Sequence, residues 1–158
     1  MESDNKQRQL KKLIKEYLKE AKMMQLATVN NGKPWVCNVW FAVDNDLNIY
    51  WFSSTTRRHS IDVSKDPHVA AAICLPHTPS DPARGIQLEG VAEMITDPKD
   101  MAKATRYYIG RIFSVKQVKF YINSLEKPHK FYKITPNKFV LFDTVNFPDD
   151  SRQELLMR

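Results

Sequence analysis

The chain has 158 residues, 42% of them hydrophobic and 11% aromatic, so it suits one globular domain and is too apolar for wholesale disorder. Lys and Arg number 24 against 18 Asp and Glu, and the resulting net charge of +6 favours an anionic partner. No run of about 18 apolar residues is present and the first dozen residues are too polar for a secretory signal, so we expect a cytoplasmic protein without a membrane span.

The first predicted element is an amphipathic helix over residues 7–22. Its apolar residues recur at spacings of three and four, which places them on one stripe of a helix: Leu10, Leu13, Ile14, Tyr17, Leu18 and Ala21. The other positions are nearly all Lys, Glu or Gln. The basic residues of this region therefore indicate a solvated helix surface of mixed charge.

Three antiparallel strands are predicted next, at about residues 24–30, 35–43 and 48–54. They are separated by Asn31-Gly32 and by Asp44-Asn45-Asp46, residues that tolerate the positive φ angles of hairpin turns. A short helix or helical turn is predicted within residues 53–65. Pro67 ends it, because a proline disfavours helix at the residue before it.

The second half of the chain is predicted to continue with strands at about residues 68–75, 85–95 and 131–143. Gly90 is expected at a bulge or a close backbone contact, and the last strand is either two strands or one bent strand. Helices are predicted after Asp97-Pro98 and after Ser114, both of which are helix-start signals. The apolar residues of the second helix are expected on one shared face: Val115, Val118, Ile122 and Leu125. The residues after Pro148 are expected to fray, which gives a single domain over 1–148 and a flexible tail over 149–158.

The predicted fold class is mainly β, or α+β by count. It is an antiparallel split β-barrel of six or seven strands with flanking helices, because consecutive hairpins argue against a parallel dinucleotide-binding fold. Cys37 and Cys74 lie in apolar strand-like runs without CxxC spacing, which indicates reduced thiols. The four histidines lack the close pairing of a zinc site, so no metal is expected.

The most unusual segment runs from Ser53 to Ser60 and holds five hydroxyls, two arginines and a histidine at a strand end. Hydroxyls, helix N-terminal amides and guanidinium groups all bind phosphate, so a phosphate site is one interpretation. A capped helix start with surface charge is the other, since Ser and Thr are common caps.

Large aromatic residues are concentrated on two neighbouring predicted strands, in residues 35–41 and 50–52. They are suited to walling a planar ligand, but equally to forming the barrel core or a dimer interface. A basic protein with exposed tryptophans is also compatible with a module that binds single-stranded nucleic acid, and such binding would weaken steeply with salt.

The order of these features resembles the pyridoxamine-5′-phosphate-oxidase-like, FMN-binding split-barrel superfamily. The resemblance covers about residues 20–145 and rests on three segments of the chain: LATVNNGKPWVCNVWF, LNIYWFSSTTRRHSIDVSKDPHVAAAI and ARGIQLEGVAE. It implies FMN as cofactor, held without a covalent bond, in a homodimer whose partner covers an open flavin crevice.

The resemblance also implies a set of cofactor-binding residues. Arg58 and His59 stand where the family has a basic pair that grips the FMN phosphate, with His59 in place of the usual lysine. Phe52 and Ser53 match positions that flank the flavin. The cofactor-binding set is then completed by Asn38, Val39, Trp40 and Gln87.

The resemblance implies a flavin-dependent oxidoreductase acting on a small molecule. The C-terminal Trp and Arg segment of authentic pyridoxamine-phosphate oxidase is not recognisable after Phe142, so the sequence is closer to a small branch of the family. Within the same fold, alternatives are a deazaflavin- or haem-binding barrel and a non-enzymatic flavin-binding protein. No side chain is an evident catalytic acid or base, and the catalytic residues stay unassigned.

Overall fold

The computed structural model describes the backbone of residues 2–157 and the side chains of residues 5–157. The helices are α1 (Glu2–Glu20), α2 (Arg58–Lys65), α3 (Pro98–Tyr108) and α4 (Val115–Ile122). The strands are β1 (Met23–Asn30), β2 (Lys33–Val43), β3 (Ile49–Ser54), β4 (His68–Ile73), β5 (Arg84–Met94), β6 (His129–Asp143) and β7 (Arg152–Leu156). None of the helices in this described part is long and apolar enough to cross a membrane.

The seven strands form one antiparallel sheet in the order β3-β2-β1-β4-β5-β6-β7. Strand β3 also pairs with the first half of β6, so six strands close into a ring and β7 extends the sheet from the second half of β6. The predicted antiparallel split-barrel fold with flanking helices is confirmed. Closure pairs both edges of the six-stranded sheet, which removes them as sites of aggregation.

Two apolar clusters hold the elements together. The first fills the barrel and is covered by Leu10, Ile14 and Leu18 of α1, as the helical periodicity predicts. The second, here called the aromatic cluster, lies between the sheet and helices α3 and α4. It contains Tyr50, Phe52, Tyr108, Val118 and Phe131.

Three local predictions are wrong. Residues 149–158 are not a frayed tail throughout, because Arg152–Leu156 pairs with β6 and buries Gln153 and Leu155. In the 44–48 turn the positive φ angle falls on Leu47, since buried Asp44 accepts the Asp46 and Asn48 backbone N–H groups. Helix α4 has the predicted Ser114 capping box, yet only Val118 of its apolar residues is buried.

Asp44 links α3 to the β2–β3 turn and is fully buried. Its carboxylate accepts hydrogen bonds from Asn48 and Tyr50 and lies 2.7 Å from the ammonium of Lys103. Burial alone would raise the pKa of Asp44, but the bonds from Lys103, Asn48 and Tyr50 outweigh it and hold the pKa below its ordinary value. The ionised carboxylate therefore stabilises the fold.

Asp44→Asn is expected to lower the free energy of unfolding at pH 7 by about 2 kcal/mol, because the amide nitrogen cannot accept these bonds. The pKa of Asp44 is lower in the folded protein than in the unfolded chain, where it is about 3.9, so its ionisation stabilises the fold at every pH above that value. This stabilisation is lost as the pH falls through the pKa of Asp44 in the folded protein. Urea titrations at pH 7 and pH 3 should show a smaller deficit at pH 3. Equal deficits at both pH values would mean that the charge of Asp44 is not the cause.

Candidate functional site

The segment predicted to bind phosphate forms the end of β3 and the start of α2. Arg57 occupies the N-cap position of α2, and its side chain makes no capping hydrogen bond. The hydroxyls of Ser54 and Thr56 bond to each other, and that of Ser60 donates to the Ser54 carbonyl, so these hydroxyls hold the turn. The capping part of the second interpretation is therefore wrong, whereas Arg57 and Arg58 are exposed and provide the surface charge that it expects. The helix begins with backbone N–H groups that no N-cap side chain satisfies.

Arg58 projects at this helix start and is 46% exposed. Its guanidinium carbon lies 4.3 Å from the centre of the Trp35 ring, and its Nε is 3.6 Å from a carboxylate oxygen of Asp62. Asp62 is itself held by hydrogen bonds from Thr28 and Asn30. Within the described part of the chain the terminal nitrogens of Arg58 have no hydrogen-bond partner, so a ring and a carboxylate position a cation that is still free to bind an anion.

His59, the neighbour of Arg58, lies inside the barrel end and is only 8% exposed. Its Nε2 is 2.7 Å from the hydroxyl of Ser53, and its Nδ1 is 3.3 Å from the sulfur of Cys37. Both ring nitrogens are thus engaged within the fold. Ser53 is also buried, whereas Cys37 is half-buried.

The predicted residues Asn38, Trp40 and Gln87 lie on the outer face of the sheet. Asn38 of β2 pairs with Gln25 of β1. Gln25 and Gln87 of β5 are the two neighbours of Ala72 on β4, so the three amide side chains lie in one row across the sheet. The amides of Gln25 and Asn38 are hydrogen-bonded at 3.2 Å. Trp40 is 45% exposed beside this row. The outer face therefore offers hydrogen-bonding amides next to a flat indole.

The remaining two predicted residues point elsewhere. Val39 packs against the barrel core, since alternate residues of β2 face opposite sides of the sheet. Phe52 is buried in the aromatic cluster, 4.7 Å from Phe131 between ring centres. A ligand near Val39 would meet its backbone only, and Phe52 supports the strand rather than presenting a ring to solvent.

The structure therefore brings together some predicted residues and separates others. Ser53, Arg58 and His59 gather at one end of the barrel, while Trp40 and Gln87 lie on the opposite side of the strands. Cys37 and Trp35 were not predicted as partners of this end. The sequence pattern that could have identified them is the alternation of β2, which places both residues on the side of the strand that faces the barrel interior.

A groove of about 540 Å³ lies beside Trp40 and was not predicted. It is lined mainly by apolar groups, among them Met23, Trp40 and Leu75, and His77 stands at one side. The Nδ1 of His77 is 2.9 Å from the Leu75 carbonyl, which can only accept, so a neutral ring carries its proton on Nδ1 and has a free lone pair on Nε2. In the described residues no group of three or more His, Cys, Asp or Glu is placed to hold a metal ion.

A sequence model of the pyridoxamine 5′-phosphate oxidase family matches residues 10–142. The chain belongs to this family. No curated protein matches it. Membership agrees with the geometry, since the matched range contains the ring of strands up to, but not including, the last residue of β6, together with the start of α2.

Solved structures show the same fold at low identity. A haem-binding protein from Mycobacterium smegmatis is 20% identical with a TM-score of 0.69, over 86% of this chain and 53% of that one, so the chain spans about half its length. HutZ, a haem storage protein from Vibrio cholerae, is 20% identical with a TM-score of 0.66, over 78% and 87% of the two chains. An FAD-binding protein from Mesorhizobium loti is 17% identical with a TM-score of 0.60, over 80% and 87%. This pyridoxamine 5′-phosphate oxidase family member thus shares its fold with haem- and flavin-binding proteins.

Proposed function

We propose that the chain binds FMN and acts as a flavin-dependent oxidoreductase on a small molecule. The observation that carries the proposal is the uncapped start of α2, flanked by Arg57 and Arg58. Free backbone N–H groups at a helix start and guanidinium groups both bind phosphate, and FMN joins a phosphate to a planar ring. Family membership and an FAD-binding structural neighbour support a flavin.

In this proposal Arg58 and the start of α2 hold the phosphate. The backbone of residues 38–40 runs along the ring edge, and Gln87 supplies an amide from the outer face. When bound, FMN supplies the hydride or electron transfer, while these residues orient it and exclude water. The residues fit the group in two parts: Arg58 and the free backbone amides of the α2 start suit the phosphate, while the outer face of the sheet offers side-chain amides and the Trp40 indole to the ring. The two parts lie on opposite sides of β2, so both meet one FMN when a second copy supplies one of them.

The proposal includes a homodimer. Arg58 and Trp40 lie on opposite sides of β2, and exposed apolar residues of that strand, Val36 at 59% and Trp40 at 45%, are available to a second copy. A two-fold partner placed on this face would complete the site that one chain leaves open. Light scattering at micromolar concentration is expected to give twice the chain mass, and a stable monomer would contradict this part of the proposal.

The test of the function is the absorbance spectrum of the freshly purified protein, followed by titration of the apo-protein with FMN. A flavin spectrum and saturable binding are expected, with quenching of tryptophan emission because Trp40 approaches the ring. Trp40→Phe should remove part of the quenched signal, and the remainder is expected from Trp35, which lies 4.3 Å from the Arg58 guanidinium, since Trp51 is fully buried in the core. A colourless protein that binds no added FMN would overturn the proposal, and full emission at saturating FMN would place the ring away from Trp40.

Haem is a second candidate, favoured by the groove beside Trp40. The Nδ1–H of His77 donates to a backbone carbonyl, which is the arrangement that orients histidine ligands of metals and leaves Nε2 free. The groove volume of about 540 Å³ is within the range of cofactor pockets. If haem is the ligand, His77 is the residue placed to bind its iron.

Titration of the protein with haemin separates the two candidates. If haem is the cofactor, His77→Ala should shift the Soret band and weaken binding, whereas His129→Ala should not. His129 is the matched control because it makes the same bond, to the Lys127 carbonyl, but packs against Phe52 and Tyr121. Identical spectra for wild type and His77→Ala would remove His77 as the ligand.

A further inference from the structure

Three polar side chains form a continuous chain of contacts inside the barrel end. The sulfur of Cys37 is 3.3 Å from the Nδ1 of His59, and the Nε2 of His59 is 2.7 Å from the hydroxyl of Ser53. They come from β2, α2 and β3, so three separate elements meet at one imidazole. The two outer members differ in burial, since Ser53 is buried and Cys37 only half-buried.

The chemistry of the three groups gives this chain a direction. Burial, with the nearby charge of Asp62, raises the pKa of the Cys37 thiol, so the sulfur keeps its proton at neutral pH and is the donor. Nδ1 of His59 then accepts, and the ring proton resides on Nε2, which donates to Ser53. The hydroxyl proton of Ser53 is left to donate elsewhere.

The surroundings of His59 favour its neutral form. Burial and the positive charge of Arg57 lower the pKa of His59, and Asp62 opposes them. The thiol of Cys37 and the hydroxyl of Ser53 complete the groups that face the ring. A ring that turned outward to meet an anion would leave both of these partners without this hydrogen bond, which is unfavourable above all for the buried hydroxyl of Ser53.

We propose that His59 is a neutral link between Cys37 and Ser53 that presents the Ser53 hydroxyl as a hydrogen-bond donor to the bound cofactor, and that His59 does not itself bind the phosphate. The proposal rests on the FMN function for the identity of the acceptor, an oxygen of FMN. It makes His59 a positioning residue and Ser53 the residue that touches the ligand. It also revises the expectation that His59 replaces a phosphate-binding lysine.

The tautomer of His59 tests the link on the protein alone. Long-range ¹H–¹⁵N spectra of histidine-labelled protein are expected to show His59 neutral and protonated on Nε2 from pH 6 to pH 8. His59→Gln identifies the signal, and Cys37→Ala should release the ring to a mixture of tautomers. A charged ring at pH 6, or a proton on Nδ1 of the neutral ring, would overturn the proposal whether or not the protein binds FMN.

Affinity for FMN tests the role of the link. His59→Gln retains an amide donor for Ser53 and should stay within about threefold of wild type, whereas His59→Lys should weaken FMN binding by about tenfold because it breaks the chain. Ser53→Ala should weaken binding to a similar extent. Tighter binding by His59→Lys would show a phosphate contact and refute the proposal. If that variant does not fold, the pH dependence of His59→Gln decides instead.

The FMN affinities of wild type and His59→Gln are compared as a ratio at each pH. Protonation of the FMN phosphate affects both affinities equally, so it drops out of the ratio. A neutral link predicts a constant ratio from pH 6 to pH 8. A histidine cation at the phosphate would go from about three quarters charged to a few per cent charged across this range, and the ratio would fall severalfold. His68→Gln is the matched control, since His68 is exposed beyond the far end of α2 and pairs with Asp66.

Discussion

Gly90→Ala is expected to lower the free energy of unfolding by about 3 kcal/mol or more. A Cβ atom at Gly90 would lie 2.5 Å from the Thr135 carbonyl oxygen and 2.9 Å from the Cα of Pro136. Both are backbone atoms of β6, so no side-chain rotation relieves the contact. The register of β5 against β6 shifts between Glu89 and Gly90, and the strands approach closely at this bulge. Separating them would loosen the longest strand pairing of the barrel.

Gly85→Ala is the matched control on the same strand. Its Cβ would meet only the Ile73 carbonyl oxygen, at 3.6 Å, which is an ordinary van der Waals distance. Urea denaturation followed by circular dichroism should therefore show a near-native midpoint for Gly85→Ala and a large decrease for Gly90→Ala. Equal midpoints for the two variants would show that β6 can move away from Gly90 at little cost.

Arg58→Ala is expected to weaken FMN binding by about ten- to a hundredfold. A hydrogen bond to a charged group contributes roughly 1.5–3 kcal/mol, and alanine has no donor for the phosphate. The fold should persist, because Asp62, the partner of Arg58, still accepts hydrogen bonds from Thr28 and Asn30. Fluorescence titration with FMN and a thermal unfolding curve measure the two quantities separately.

Riboflavin and two further variants make this prediction specific. Riboflavin lacks the phosphate, so its binding should be weak in wild type and nearly unchanged in Arg58→Ala. Arg58→Lys should recover part of the FMN affinity, since it restores charge without the planar fork of donors. Arg106→Ala controls for the loss of an arginine near an aromatic ring, that of Tyr107, away from the site. Equal losses of riboflavin and FMN in Arg58→Ala would refute the phosphate role.

Local signals in the sequence predicted most of the elements, because their physical causes are also local. The Asn31-Gly32 turn has φ angles of 50° and 71°, as a tight hairpin turn requires. Asp97 accepts the backbone N–H groups of Lys99 and Asp100, so α3 starts where the Asp-Pro pair predicts. In each case the residues that specify the structure are neighbours in the chain.

Predictions failed where the deciding partner is distant. Strand β7 has too few apolar residues to be recognised, and it exists because the second half of β6 offers an unpaired edge. Helix α4 was expected to bury a full apolar face, but it packs against the aromatic cluster mainly through Val118. The hydroxyls at the end of β3 suggested an N-cap for α2. In the structure the hydroxyls of Ser54 and Thr56 are hydrogen-bonded to each other within the turn, and Arg57 occupies the N-cap position.

The sequence by itself determined the six strands of the ring, the Asn31-Gly32 turn, the basic pair that begins α2 and the family resemblance, since each depends on short-range chemistry or a fixed order along the chain. Only the tertiary structure decided which face each candidate residue takes. Arg58 and His59 are adjacent in the chain, but their side chains point in different directions. The Arg58 side chain lies on Trp35 at the surface, whereas the His59 ring lies inside, between Cys37 and Ser53. The physical reason is that the packing of α2 against β1 and β2 sets the rotation of that helix, and no pattern within α2 specifies it.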